Sequence, residues 1–138
     1  MQDEMLDVVG IGNAIVDVIA STEDRFLTDN NLQKGSMALI DEERAHELYG
    51  LMGPAIEASG GSAANTMVGV ASFGGTASYI GKVRNDLLGK VFTHDMAASG
   101  VTCPVPAGTE GPATGRSLIL VTPDAQRTMN TFLGISSL

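Results

Sequence analysis

Two short stretches carry the residues best suited to chemistry. The first is "GIGNAIVDV", Gly10 to Val18, and the second is "ASGGSAANT", Ala58 to Thr66. Along a strand, positions 11, 13, 15, 17 and 19 share one face. Here that face reads Ile, Asn, Ile, Asp, Ile. A carboxylate in so apolar a strand is costly unless something pairs with it. Either the strand end rises into solvent with Asp17 as a turn or cap residue, or Asn13 and Asp17 face a pocket and bind hydroxyls. A carboxylate accepts two hydroxyl hydrogen bonds well, so the second reading makes a vicinal diol the natural ligand.

In the second stretch a helix is expected to open at Gly60-Gly61 and run from about Ser62 to Phe73. Residues 61, 65 and 69 then stack on one face, with side chains leaning toward the N-terminus. Asn65 would point back toward Gly61, where the absence of a side chain lets a ligand approach the unpaired N–H groups of the first turn. That gives a polar spot without bulk, suited to a sugar. A tight turn followed by a helix packed through small residues explains the same pattern.

The elements that must position these groups follow from the hydrophobic patterning. Leu6 to Ser21 is β-branched and apolar, and reads as a buried strand, a bend at Gly10-Ile11-Gly12, and more strand. "TEDRFLTDNNL" reads as a short helix capped by Thr22 and ended by Asp29-Asn30-Asn31. Ser36 to Ile40 alternates like a strand. "DEERAHELYGLM" places Asp41 at an N-cap and Ala45, Leu48 and Met52 on one helical face. "TASYIGKV" reads as a strand, and Asp86 to Ser99 as a helix ended by Gly100. Two strands joined at Pro123-Asp124 close the order. The pattern indicates an α/β fold with a partly parallel sheet and a small β appendage.

Composition narrows the function classes. The 138 residues are 43% hydrophobic and 17% charged, which suits a packed core. Eight basic residues stand against sixteen acidic ones, with no Lys/Arg block, so neither nucleic acid nor an anionic membrane is an expected partner. Cys103 is alone and forms no internal disulfide. With an acidic start and no apolar leader-like segment, a cytoplasmic location is expected. His46 and His94 lack metal-ligand spacing, and no metal site is expected. "VVGIGNAIV" has a G-x-G but lacks the third glycine and the helix of a dinucleotide fingerprint, which leaves a nicotinamide-dependent oxidoreductase as a remote alternative.

Taken together, "GIGNAIVDV", "KGSMALID" (Lys34 to Asp41), "SGGSAANT" (Ser59 to Thr66) and "YIGKVRNDLLGKVF" (Tyr79 to Phe92), followed by "PATG" and "RTMNTFLG", resemble the ribokinase-like, or PfkB, carbohydrate kinases. Within that family the likeness is greatest to adenosine kinases and related bacterial sugar kinases. The resemblance implies the N-terminal part of a three-layer α/β/α fold across residues 1–138, with lid strands at about 14–21, 36–40 and 114–133. It implies ATP-dependent phosphoryl transfer to a hydroxyl of a sugar or nucleoside, with ATP and Mg2+ as cofactors. Asp17 would hold the hydroxyls with Asn13, Gly60, Gly61 and Asn65. Met37 and Leu39 would lie in the lid, Ser117 and Met129 on the far side of the substrate, and Arg127 would face the transferring phosphate. The family's D-T-x-G-A-G-D type motif, which carries the catalytic base, is absent from this sequence. The expectation is therefore a substrate-binding half that is inactive alone, or else a non-catalytic sugar- or nucleoside-binding module. An open sheet edge and an apolar face are also expected, which would allow a homodimer through the lid or the edge.

Overall fold

The structure is a computed structural model and describes residues 5–138. Its strands form two separate sheets. The first is fully parallel. It contains β1 (Val8–Ile11), then β5 (Ala77–Ile80), then β6 (Val101–Thr102). The second is mixed and has five strands in the order β3 (Met37–Leu39), β8 (Arg127–Phe132), β7 (Gly115–Val121), β2 (Ile15–Ser21), β4 (Ile56–Gly60). The expected α/β fold class is borne out, with the β appendage built from this five-stranded sheet.

Four helices connect these strands. α1 (Asp24–Asp29) and α2 (Glu42–Leu51) lie between strands of the second sheet, while α3 (Ser62–Ser72) and α4 (Leu87–Ala98) serve the first. The α2 start follows from Asp41, whose side chain accepts from the Arg44 N–H at 2.8 Å. Ala45 and Leu48 form its buried face. In α4 the buried residues are Gly89, Phe92 and Met96, a helical spacing, and the chain leaves through Gly100 at φ +84°.

Both α3 and α4 cover the same face of the parallel sheet. Gly10 and Tyr79 are register partners. A Cβ at Gly10 would meet Met67 of α3 at 3.0 Å, and the Tyr79 ring packs on Phe92 of α4 with centroids 5.9 Å apart. The other face presents Val9 and Ile11, which are 52% and 75% exposed. Parallel sheets are usually covered on both sides. The expected open apolar face is therefore present, and among the described residues β1, paired only with β5, is an edge strand.

Three expectations need correction. Leu6 to Ser21 is not one strand run with a shared face: β1 and β2 belong to different sheets, so Ile11 does not line up with Asp17. β1 is also largely exposed instead of buried. Its β-branched sequence suits burial under a layer that these residues do not supply. The cap of α1 is Glu23, not Thr22, and no side chain caps it. Thr22 instead continues the β2–β7 pairing, its N–H donating to the Val121 carbonyl at 2.9 Å.

Candidate functional site

The register of the mixed sheet brings distant residues into one row. Leu39 pairs with Thr131, Thr131 with Ser117, Ser117 with Asp17, and Asp17 with Ala58. Residues paired in this way point to the same side. The neighbouring row is Met37, Met129, Ile119, Ile19 and Ile56. On the other side of the Asp17 row, Ile15 lies between Gly60 and Gly115. The opposite side of the sheet is core, with Val16, Val18, Leu118 and Leu120 at most 1% exposed.

One side of this sheet is thus an apolar surface with a polar strip across it. Within the strip, the Ser117 and Thr131 hydroxyls are hydrogen-bonded at 3.0 Å and buried. Met37 and Leu39 are 56% and 65% exposed, so the edge of the surface is free to meet something else.

Asp17 is half-buried and has no hydrogen-bond or ion-pair partner among the described residues. Burial pushes its carboxyl above the usual carboxylate value, and the positive charge of Arg127 pulls partly the other way. Arg127 begins β8 on the same side as Met129 and Thr131, and it is exposed. The site therefore pairs a desolvated carboxylate with an exposed cation whose charge partly offsets the burial.

Beside Asp17 the backbone carries no side chains. β4 ends at Gly60, and a Cβ built there would clash with the Asp17 carboxylate. Gly61 follows at φ +94°, a conformation that favours glycine, and serves as the N-cap of α3 with no side-chain cap. The first-turn N–H groups of α3 are therefore unclaimed by a capping side chain. A Cβ at Gly61 would meet the Asn13 carbonyl at 3.0 Å, so the β1–β2 connection closes over the same point. Asn65 lies in the first turn of α3, its N–H donating to the Gly61 carbonyl at 2.9 Å, and its side chain is exposed.

The arrangement suits a small polyol: a carboxylate for paired hydroxyls, backbone donors at a helix start, and an apolar sheet beneath. The model of the pfkB family carbohydrate kinases matches residues 45–137. The chain belongs to that family. An adenosine kinase from Sinorhizobium meliloti is similar in structure, at 55% identity and TM-score 0.88, over 95% of this chain and 40% of that one. A probable sugar kinase from Rhizobium etli matches at 53% identity and TM-score 0.88, over 95% and 40%. An adenosine kinase from Schistosoma mansoni, solved with adenosine in an occluded loop conformation, matches at 25% identity and TM-score 0.79, over 93% and 38%. The chain thus spans about two fifths of the length of these solved structures. No curated protein sequence matches it.

For this pfkB family chain, the sequence-expected residues fall into three groups. Gly60 lies against the Asp17 carboxylate and the next residue, Gly61, against the Asn13 carbonyl, with Asn65 one helical turn away. Leu39 and Ser117 share the Asp17 row, and Met37 and Met129 the next. Arg127 stands apart at the start of β8. One correction applies: Gly60 does not open the helix but ends β4, and Gly61 is the N-cap of α3, which begins at Ser62. Strand β4 itself was not expected, and neither were Ala58, Thr131 and Ile56 on the site face. Pro54 and small residues around Ile56 hide that strand, although the isolated Ile56-Glu57-Ala58 alternation is a weak trace of it. Among the described residues no helix is long and apolar enough to cross a membrane.

Proposed function

We propose that this chain supplies the substrate-binding part of an ATP-dependent sugar or nucleoside kinase. The observation that carries the reading is the meeting of the half-buried, unpartnered Asp17 with the side-chain-free Gly60-Gly61 corner at the start of α3. Asp17 accepts hydrogen bonds from two neighbouring hydroxyls of the substrate, and burial strengthens them by excluding competing water. Asn13 and Asn65 offer further donors and acceptors, and Gly61 lets the ring come against the backbone. Met37, Leu39 and Met129 form an apolar lid surface that keeps water from the reacting hydroxyl. Arg127 would stabilise charge on the transferring group.

Among the described residues no three His, Cys, Asp or Glu side chains are grouped to hold a metal ion, and no G-x-x-x-x-G-K-[ST] loop occurs in the sequence. In this reading Arg127 faces the transferring phosphate, and this chain supplies no other group to Mg2+ or the ATP phosphates. The remaining groups, and the carboxylate that activates the hydroxyl, come from the larger part of the fold that the longer relatives contain. The uncovered face of the parallel sheet supports this, since such a fold places a further layer there.

Calorimetric titration of the chain with adenosine, ribose and fructose, each with and without ATP, tests the reading. Uptake of at least one polyol is expected, with no phosphorylated product from the chain alone. Asp17→Ala should weaken that uptake by roughly 100-fold or more, because two hydrogen bonds to a charge are lost. Unchanged affinity in that variant would remove Asp17 from the site, and turnover by the chain alone would show that it carries its own catalytic base.

A further inference from the structure

Tyr79 is 1% exposed, yet its hydroxyl has no hydrogen-bond partner among the described residues. Buried polar groups normally find one, so a lone hydroxyl at this depth calls for a reason. Phenylalanine would fill the same volume without the unpaired group. The surroundings are also specific. The ring passes between two glycines: a Cβ at Gly81 would lie 2.6 Å from Tyr79 Cε2, and a Cβ at Gly12 would lie 3.2 Å from the hydroxyl oxygen. That same Gly12 position is 3.0 Å from the Cβ of Ala63, in the first turn of α3. The hydroxyl therefore ends where the β1–β2 connection touches the start of α3. These are the two segments that carry Asn13 and Gly61.

Burial, with the neighbouring Cys103 thiol adding to it, pushes the phenol up to about 12, so the group remains a proton donor. The Gly12 carbonyl borders the same gap, 3.1 Å from the Cβ position at Gly81, and is an acceptor within the chain. We propose that Tyr79 is a positioning residue of the polyol site, whose hydroxyl takes its hydrogen-bond partner only when a ligand holds the Gly12–Asn13 segment against the first turn of α3. The inference rests on the polyol reading above. It adds a residue outside the ligand's reach that favours the bound arrangement of those segments over the free one.

The test is Tyr79→Phe in the 138-residue chain, titrated with adenosine alongside the unsubstituted chain and Asp17→Ala, with thermal unfolding of each in the absence of ligand. The expected result is a loss of adenosine affinity of roughly three- to tenfold, the worth of one neutral hydrogen bond, with the ligand-free midpoint unchanged or raised. Wild-type affinity in Tyr79→Phe would overturn the inference while leaving the Asp17 effect intact. A loss of affinity matched by a lowered ligand-free midpoint would also overturn it, since the hydroxyl would then serve the fold and not the bound state. If the unsubstituted chain takes up no adenosine, or Asp17→Ala binds as well as it does, the polyol reading fails and the inference falls with it.

Discussion

The carboxylate of Asp17 occupies the space that a side chain at Gly60 would fill. The two residues lie on adjacent antiparallel strands, with Gly60 opposite Ile15 and Asp17 opposite Ala58. This diagonal proximity is what turns a strand carboxylate and a glycine corner into a single site. Gly60→Ala tests it. The methyl group must displace the carboxylate, which is the end of a short rotatable side chain and can swing aside. The folding cost is therefore expected near the low end for overpacking, about 1 kcal/mol. Polyol affinity should fall much more. Gly69→Ala is the contrasting case: no atom lies within 4 Å of its Cβ position, in the interior of α3. There alanine should stabilise by about 0.5–1 kcal/mol. Urea unfolding of both variants, with adenosine titration, checks the pair.

Asp17→Asn should make the ligand-free chain more stable at neutral pH. Burial raises the Asp17 pKa in the folded chain above its ordinary 3.8, with Arg127 opposing. An acid whose folded pKa is raised binds its proton more tightly when folded. Its contribution to stability is complete below pH 3.8 and is lost as pH rises through the folded pKa. The neutral amide escapes that loss. Denaturation midpoints of the two proteins should therefore converge in acid and separate above the carboxylate range, while adenosine affinity collapses in the variant. A gain in stability bought with lost binding is the usual signature of a strained functional residue.

Arg127→Met should raise the Asp17 pKa further, because only the arginine charge counters burial there. If the ionised carboxylate binds the polyol, adenosine affinity rises with pH through that pKa. The acid limb of the affinity profile should then shift to higher pH in the variant. Because Arg127 is exposed, the shift should shrink in about 1 M salt, where the screening length falls to about 3 Å. Identical acid limbs in the two proteins would mean that Arg127 has no hold on Asp17.

What the sequence reveals about this site follows from how local each signal is. Asn13, Asp17 and the glycine pair are visible because a polar residue in an apolar strand and a side-chain-free helix start are both local anomalies. The Pro123-Asp124 hairpin is equally local, and the structure has it as expected, with β7 and β8 paired from Arg116–Phe132 to Val121–Arg127. The Asp17–Ser117–Thr131–Leu39 row is different. It depends on β2 pairing in parallel with a strand about a hundred residues later, and on β3 pairing in parallel with β8. No local pattern sets that register. Thr131 consequently looks like any strand threonine until Ser117 is placed opposite it. The division of β1 and β2 between two sheets escapes notice for the same reason. The segment from Gly10 to Asn13 carries glycines that suit a bend, but the change of sheet is decided by β5 and β7, which lie far along the chain.

The last link runs through Asp86, which holds α4 to the start of β7. One carboxylate oxygen accepts from the Gly89 N–H at 2.8 Å and the Thr114 hydroxyl at 2.6 Å, and the other accepts from the Thr114 N–H at 3.0 Å. Burial would raise its pKa, but these hydrogen bonds and the charge of Arg84 outweigh it, and the net shift is downward. A depressed carboxyl contributes stability above its unfolded value of 3.8 and loses it as pH falls through the folded pKa. Asp86→Ala removes a helix cap and leaves the Thr114 N–H without its acceptor, for a loss of roughly 2 kcal/mol at pH 7. Thr114 immediately precedes Gly115, the register partner of Ile15 beside the Asp17 row. Loosening this clamp should therefore weaken adenosine binding as well as folding. In urea unfolding, the gap between the two proteins should be full at pH 7 and should close below pH 3.8. A gap that persists undiminished in acid would show that Asp86 acts by packing and not by its charge.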